Sequence, residues 1–179
     1  MAEGPSAGRH VVLVGMMGAG KSTVGELLAS RLGVGHVDTD TEVERRCGGR
    51  LEELWRCGGE AAFRAAESLA LSDALGQEGP LVVSVGGGAV LDPANRELIR
   101  QRATVVWLRA EVATLQARVG AGQGRPLLSG EPAAALARLD RVRRPVYQSL
   151  ADVVVDVDRE PAAAVAERVA RVLGREGPS

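Results

Sequence analysis

The only lysine among 22 basic side chains is Lys21, and it stands inside Gly15-Met16-Met17-Gly18-Ala19-Gly20-Lys21-Ser22, a full match to GxxxxGK followed by Ser or Thr. Such a string is a P-loop, a glycine-rich turn whose backbone amides cradle phosphate oxygens. The Lys21 ammonium suits the β- and γ-phosphates of a nucleotide, and the Ser22 hydroxyl suits Mg²⁺. The alternative is a strand-to-helix turn that binds nothing. The agreement of strand, glycines, Lys-Ser pair and following helix weighs against it.

Other residues of the right types lie downstream. Asp38 and Asp40 are two apart, so an extended segment projects both carboxylates from one face, one suited to Mg²⁺ through water and the other to a substrate hydroxyl. Thr39 and Glu42 also fit a capping box, and Asp40 fits a plain helix cap. Gly86-Gly87-Gly88 offers backbone amides that a ligand can approach closely, or else an ordinary turn. Arg64 stands four residues after Glu60, the spacing of a helical ion pair. Residues 120–130 (GAGQGRPLLSG) carry Arg125 in a glycine-bearing loop, either a closing lid with an arginine for phosphoryl charge or a plain surface loop. Arg141, Arg143 and Arg144 precede Pro145, and composition alone reads such a cluster as a solvated helix face. His10 and His36 have no ligand partner at metal spacing.

These residues need elements to position them. The run at 10–14 (HVVLV) reads as a buried strand, and 22–32 as a helix with Val24, Leu27, Leu28 and Leu32 on one face. The P-loop therefore sits at a helix N-terminus, where orphan amides and the helix dipole favour an anion. Residues 33–37 form a weak strand. Helices are expected over 41–47, 51–55 and 60–75, the last two broken at Gly58-Gly59. Residues 81–85 (LVVSV), 104–108 (TVVWL) and 153–157 (VVVDV) read as further buried strands. Alternating strands and helices predict an α/β fold: a three-layer αβα sandwich with a central five-stranded parallel sheet. Right-handed crossovers bring the strand C-termini, and hence the glycine loop, Asp38-Thr39-Asp40 and Gly86-Gly87-Gly88, to one crevice.

A chain of 179 residues suits one domain spanning 1–179, with frayed tails at 1–8 and 175–179. A net charge of −1 argues against a broad nucleic-acid or membrane surface, and four aromatic residues supply no base-stacking platform. Two cysteines ten apart make neither a zinc set nor a disulfide framework. With no apolar leader or 18-residue apolar run, a cytoplasmic location is expected. A guanine-reading Asn-Lys-x-Asp stretch is impossible with one lysine, which removes a GTPase switch.

The ordered set GMMGAGKST, VDTD, GGEAAFR, SVGGGAV, GRPLL and RRPVY resembles shikimate kinase, in the nucleoside-monophosphate-kinase-like branch of P-loop proteins, over most of the chain. The resemblance implies a P-loop kinase fold with a mobile lid near 120–130, and transfer of phosphate from ATP, with Mg²⁺, to the 3-hydroxyl of shikimate; a monomer is expected. It implies that Gly18, Ala19, Gly20, Lys21, Ser22 and Thr23 hold the nucleotide phosphates, that Arg125 touches them from the lid, and that Arg118 flanks the adenine. Asp38 would support Mg²⁺ with Ser22. Asp40 would bind the shikimate hydroxyls beside the attacking oxygen, Arg64 and Arg143 would grip the carboxylate, and Gly86, Gly87 and Gly88 would line the substrate with backbone donors. Arg143 is chosen over Arg144 because Arg143, Pro145 and Tyr147 satisfy Arg-x-Pro-x-Tyr. His36, and Gln148-Ser149 after Tyr147, depart from the family pattern. A gluconate kinase of the same fold and a non-catalytic nucleotide-binding module are the rival expectations.

Overall fold

The computed structural model describes residues 8–120, 126–128 and 131–174. The expected tails apart from Gly8, and most of the expected lid with Arg125, lie outside the described residues.

The order is β1 (His10–Val14), α1 (Lys21–Leu32), β2 (Gly35–Asp38), α2 (Thr39–Cys47), α3 (Leu51–Leu75), β3 (Leu81–Ser84), α4 (Pro93–Arg102), β4 (Ala103–Arg109), α5 (Val112–Val119), α6 (Pro132–Leu150), β5 (Val153–Asp156) and α7 (Ala162–Val172). The strands form one parallel sheet in the order β2-β3-β1-β4-β5. Central β1 is buried along its whole length, and Val12 is level with Val83 on one side and Val105 on the other. Both faces of such a strand must be covered, which explains unbroken apolar runs in place of alternation. Edge strands β2 and β5 are only partly buried. The chain winds from β1 outward to β2, returns through β3, and crosses to the other side at β4. The P-loop follows β1 and lies at this reversal, where open α/β sheets bind ligands.

Local chemistry sets the boundaries. Asp38 ends β2 and caps α2, its carboxylate accepting from the amides of Asp40 (3.0 Å) and Thr41 (3.2 Å), a cap worth about 0.5–2 kcal/mol. The helix thus starts two residues earlier than the sequence suggests. Asp38 and Asp40 therefore do not share an extended segment: Asp40 belongs to the first turn of α2. Thr39 and Glu42 do not form the expected box either. Thr39 is buried and its hydroxyl accepts from the Gly86 amide, while Glu42 pairs with Arg45 and Arg46. The break expected at Gly58-Gly59 falls on Gly59, whose positive φ of 70° interrupts α3.

The apolar face of α1 also differs from expectation. Val24, Gly25, Leu28 and Ala29 are buried, whereas Leu27 is 41% exposed. Small residues at 25 and 29 let α1 lie close to the sheet. A β-carbon built on Gly25 would stand 2.4 Å from His36 Nε2 and 2.6 Å from Ser84 Oγ. These two side chains are themselves bonded at 2.9 Å, and Ser84 donates to the Lys21 carbonyl at 2.8 Å. Among the described residues no helix is long and apolar enough to cross a membrane.

In a solvent-facing helix Gly→Ala gains roughly 1 kcal/mol, but here overpacking costs about 1–3 kcal/mol. Gly25→Ala is expected to lower the melting temperature by several degrees; an unchanged or higher value would show that α1 has room to move off the sheet.

Candidate functional site

The loop after β1 ends on Gly20, whose left-handed φ of 91° turns the chain into α1 with no side chain capping the helix. First-turn amides such as those of Ser22 and Thr23 have no partner inside a helix, and they carry its positive dipole end. The Lys21 ammonium folds back over the loop and donates to the carbonyls of Gly15 (2.9 Å) and Met16 (3.1 Å). Ser22 donates to the Asp38 carboxylate oxygen that does not accept from Asp40. A hydroxyl paired with a carboxylate is a set of hard oxygen donors suited to Mg²⁺. Among the described residues there is no cluster of three His, Cys, Asp or Glu.

The P-loop borders a cleft of about 490 Å³. Of the sequence-predicted residues, Gly18, Gly20, Lys21, Ser22, Thr23, Asp38, Asp40, Arg64, Gly86, Gly87, Gly88, Arg118 and Arg143 line it. Ala19 does not. It lines an adjoining hollow of about 270 Å³ that shares Gly20, Thr23 and Arg118 with the cleft and adds an apolar wall at Val157 and Pro161. Arg118 spans the two, bonding the carbonyls of Gly18 (3.3 Å) and Val157 (2.6 Å).

Another wall of the cleft is built on the three glycines after β3. A β-carbon on Gly86 would meet Glu67 Oε1 at 2.2 Å and Asp40 Oδ1 at 2.8 Å. One on Gly87 would meet Arg143 Nη1 at 2.8 Å, and one on Gly88 the Arg64 guanidinium at 2.5 Å. Glycine is needed here so that four charged side chains can press on one stretch of backbone. One expectation is corrected: the Gly86 amide is not open to a ligand, because Thr39 accepts from it at 3.0 Å.

Arg143 is not part of a solvated face. It is 2% exposed, and its Nε is one of two buried side-chain nitrogens without a hydrogen-bond partner among the described residues. A buried guanidinium that lines a cleft is suited to an anion. Arg144, one residue on, points elsewhere and pairs with Asp140 at 2.9 Å. Arg64 does meet Glu60, at 3.7 Å, but Glu60 is largely exposed and such a pair contributes about 0–1 kcal/mol. Its shorter partner is Glu67, at 2.6 Å and 1% exposed.

Burial holds the Asp40 carboxyl above its ordinary range, reinforced by the Asp38 charge and opposed by Lys21 and Arg64. Burial also raises Glu67, against the pull of Arg64. The cations fall into two groups, Lys21 and Arg118 by the P-loop and Arg64 and Arg143 by the glycines, with Asp40 lining the same cleft. That set of side chains suits a ligand with more than one anionic group and a polar hydroxyl.

Several lining residues had not been singled out. Glu67 follows Arg64 by three residues, a spacing that pairs charges on a helix. Ser84 is the one polar residue in an apolar strand run. Trp55 and Phe63, tilted against each other with ring centroids 5.2 Å apart, line the cleft from either side of the Gly59 break, and sequence spacing gave no signal for that.

A family model described as shikimate kinase matches residues 17–174. Shikimate kinase of Thermobifida fusca is 45% identical over 167 residues, covering 93% of this chain and 95% of that one. Shikimate kinase of Pseudomonas paraeruginosa is 39% identical over 170 residues, covering 94% and 98%. Among solved structures, shikimate kinase from Acinetobacter baumannii in complex with shikimate superposes with a TM-score of 0.89 at 34% identity, covering 92% of each chain. A gluconokinase from Sinorhizobium meliloti, at 22% identity and a TM-score of 0.58 over 93% of this chain and 92% of that one, shares the fold.

An acid whose folded-state pKa exceeds its unfolded one binds more protons when folded, so stability falls as pH rises through the interval. For Glu67 that contribution is complete below the ordinary value of 4.5 and is lost as pH rises through the raised one. Glu67→Gln lacks this titration, so its melting temperature relative to wild type should climb between about pH 4 and pH 8. A difference independent of pH would mean that Glu67 titrates as an ordinary glutamate.

Proposed function

Because the chain belongs to the shikimate kinase family, we propose that it transfers the terminal phosphoryl group of ATP to the 3-hydroxyl of shikimate, giving shikimate 3-phosphate and ADP. The observation that carries the assignment is the pair of guanidinium groups, Arg64 and Arg143, packed on Gly88 and Gly87 in the cleft that the P-loop borders. A planar fork matches a carboxylate by paired hydrogen bonds, and shikimate carries one carboxylate and a set of ring hydroxyls. Trp55 and Phe63 supply an apolar wall for the ring.

Gly18, Ala19, Gly20, Lys21, Ser22 and Thr23 receive the phosphates of ATP, and the hollow between Arg118 and Pro161 suits the flat base. Ser22 and Asp38 hold Mg²⁺, which neutralises phosphate charge when bound. Asp40, its carboxyl made a better proton acceptor by burial, takes a hydrogen bond from the attacking hydroxyl and orients it. Lys21 stabilises charge on the transferring group, and so does Arg125 by the resemblance. Leu127, two residues after Arg125, lines the cleft, which supports a lid over the site. Positioning and charge stabilisation are the protein's share of such chemistry. Action as a single-domain monomer in a reducing cytoplasm is part of the proposal, in keeping with the exposed thiols of Cys47 and Cys57.

An ADP-release assay run side by side on shikimate, gluconate and nucleoside monophosphates tests the assignment; turnover of shikimate alone is expected, and preference for gluconate would replace it. Arg64→Lys keeps the charge but loses the fork, so the KM for shikimate should rise at least about tenfold with the KM for ATP unchanged. Equal shikimate affinity by calorimetry would remove the carboxylate role. Arg125→Ala should reduce kcat by about 10³ or more; a kcat within about threefold of wild type would defeat the lid arginine.

A further inference from the structure

Tyr147 is the only tyrosine in the chain and is fully buried. Burial pushes its phenol well above the ordinary value, so it is a hydroxyl donor at any working pH. That hydroxyl donates to the Gly87 carbonyl at 2.6 Å, with the sulfur of Met16 in the P-loop 4.0 Å away. Gly87 and Gly88 line the cleft and Tyr147 does not, so the bond is made from behind the glycine loop.

In a trans peptide the C=O and the following N–H point to opposite sides. A Gly87 carbonyl held backward by Tyr147 therefore turns the Gly88 amide forward, toward the cleft. Gly88 is also the residue on which the Arg64 guanidinium rests, and Gly87 the one against Arg143. We propose that Tyr147 is a positioning residue for the acceptor: its hydroxyl fixes the Gly87–Gly88 peptide so that the Gly88 amide joins Arg64 and Arg143 around one carboxylate. Tyr147 lies one helical turn after Arg143 on α6, so a single face of that helix carries both a guanidinium of the site and the clamp behind it. The Ala89 amide closes this turn on the Gly86 carbonyl at 3.0 Å, but glycine at both central positions lets the Gly87–Gly88 peptide flip within the closed turn, and the Tyr147 bond fixes which way it faces.

This rests on the carboxylate reading of Arg64 and Arg143, and the test separates the two. Tyr147→Phe keeps the ring and removes the donor. It should raise the KM for shikimate about tenfold, with the KM for ATP within about twofold and kcat changed less than KM. Ile99→Val, a core change in α4, is the comparison for lost stability alone: its melting temperature should fall with both KM values unchanged. Tyr147→Phe behaving like Ile99→Val would overturn the clamp while leaving the acceptor assignment intact. A wild-type enzyme that releases no ADP with shikimate would overturn both. Should Tyr147→Phe fail to fold, 3-fluorotyrosine introduced throughout the protein reports on Tyr147 alone. Its ¹⁹F resonance should shift with shikimate and not with a non-hydrolysable ATP analogue, and a resonance unmoved by shikimate would overturn the clamp.

Discussion

Three consecutive residues without a β-carbon make the acceptor end of the cleft possible. Asp40, Glu67, Arg64 and Arg143 arrive from three different helices, and each places a charged atom where a side chain on residues 86–88 would stand. Like charges and bare guanidinium groups are costly to gather in a half-dry space unless each finds a partner or a ligand. The backbone lets them converge, and the Arg64–Glu67 pair offsets part of the cost. What remains is the buried guanidinium of Arg143 and the raised carboxyl of Asp40, both lining the cleft.

The phosphate end obeys a different constraint. It depends on the direction of a helix: α1 starts at Lys21 with a left-handed glycine in the capping place, so its positive end faces the cleft without a side chain in the way. The two ends belong to one site because β1 and β3 are neighbours in a parallel sheet, which puts the loops following them side by side. Sheet order thereby sets the reach from phosphate to acceptor.

Legibility in the sequence followed how local each signal is. Buried parallel strands are short apolar runs, and the runs at 10–14, 81–85, 104–108 and 153–157 match strands to within a residue or so at each end. The P-loop was legible because its glycines, lysine and serine are contiguous. Asp38 and Asp40 both line the cleft but not from one extended segment, since capping by Asp38 starts a helix where alternation suggests strand. Leu27 was placed inside because the helical period does not reveal that Gly25 and Ala29 take the inward positions. Arg143 and Arg144 are indistinguishable by composition; only the registry of α6 buries one and turns the other to Asp140. The clamp from Tyr147 to a glycine carbonyl 60 residues away is a tertiary contact, and no periodicity encodes it.

The solitary lysine has a practical corollary. Apart from the amino terminus, reagents that acylate or cross-link amines meet a single target, Lys21, and it lines the nucleotide cleft. Coupling this protein to a surface or a dye through amines would therefore obstruct the pocket it was meant to report on. Thiol coupling is the better handle, because Cys47 and Cys57 are both exposed and neither lines the cleft.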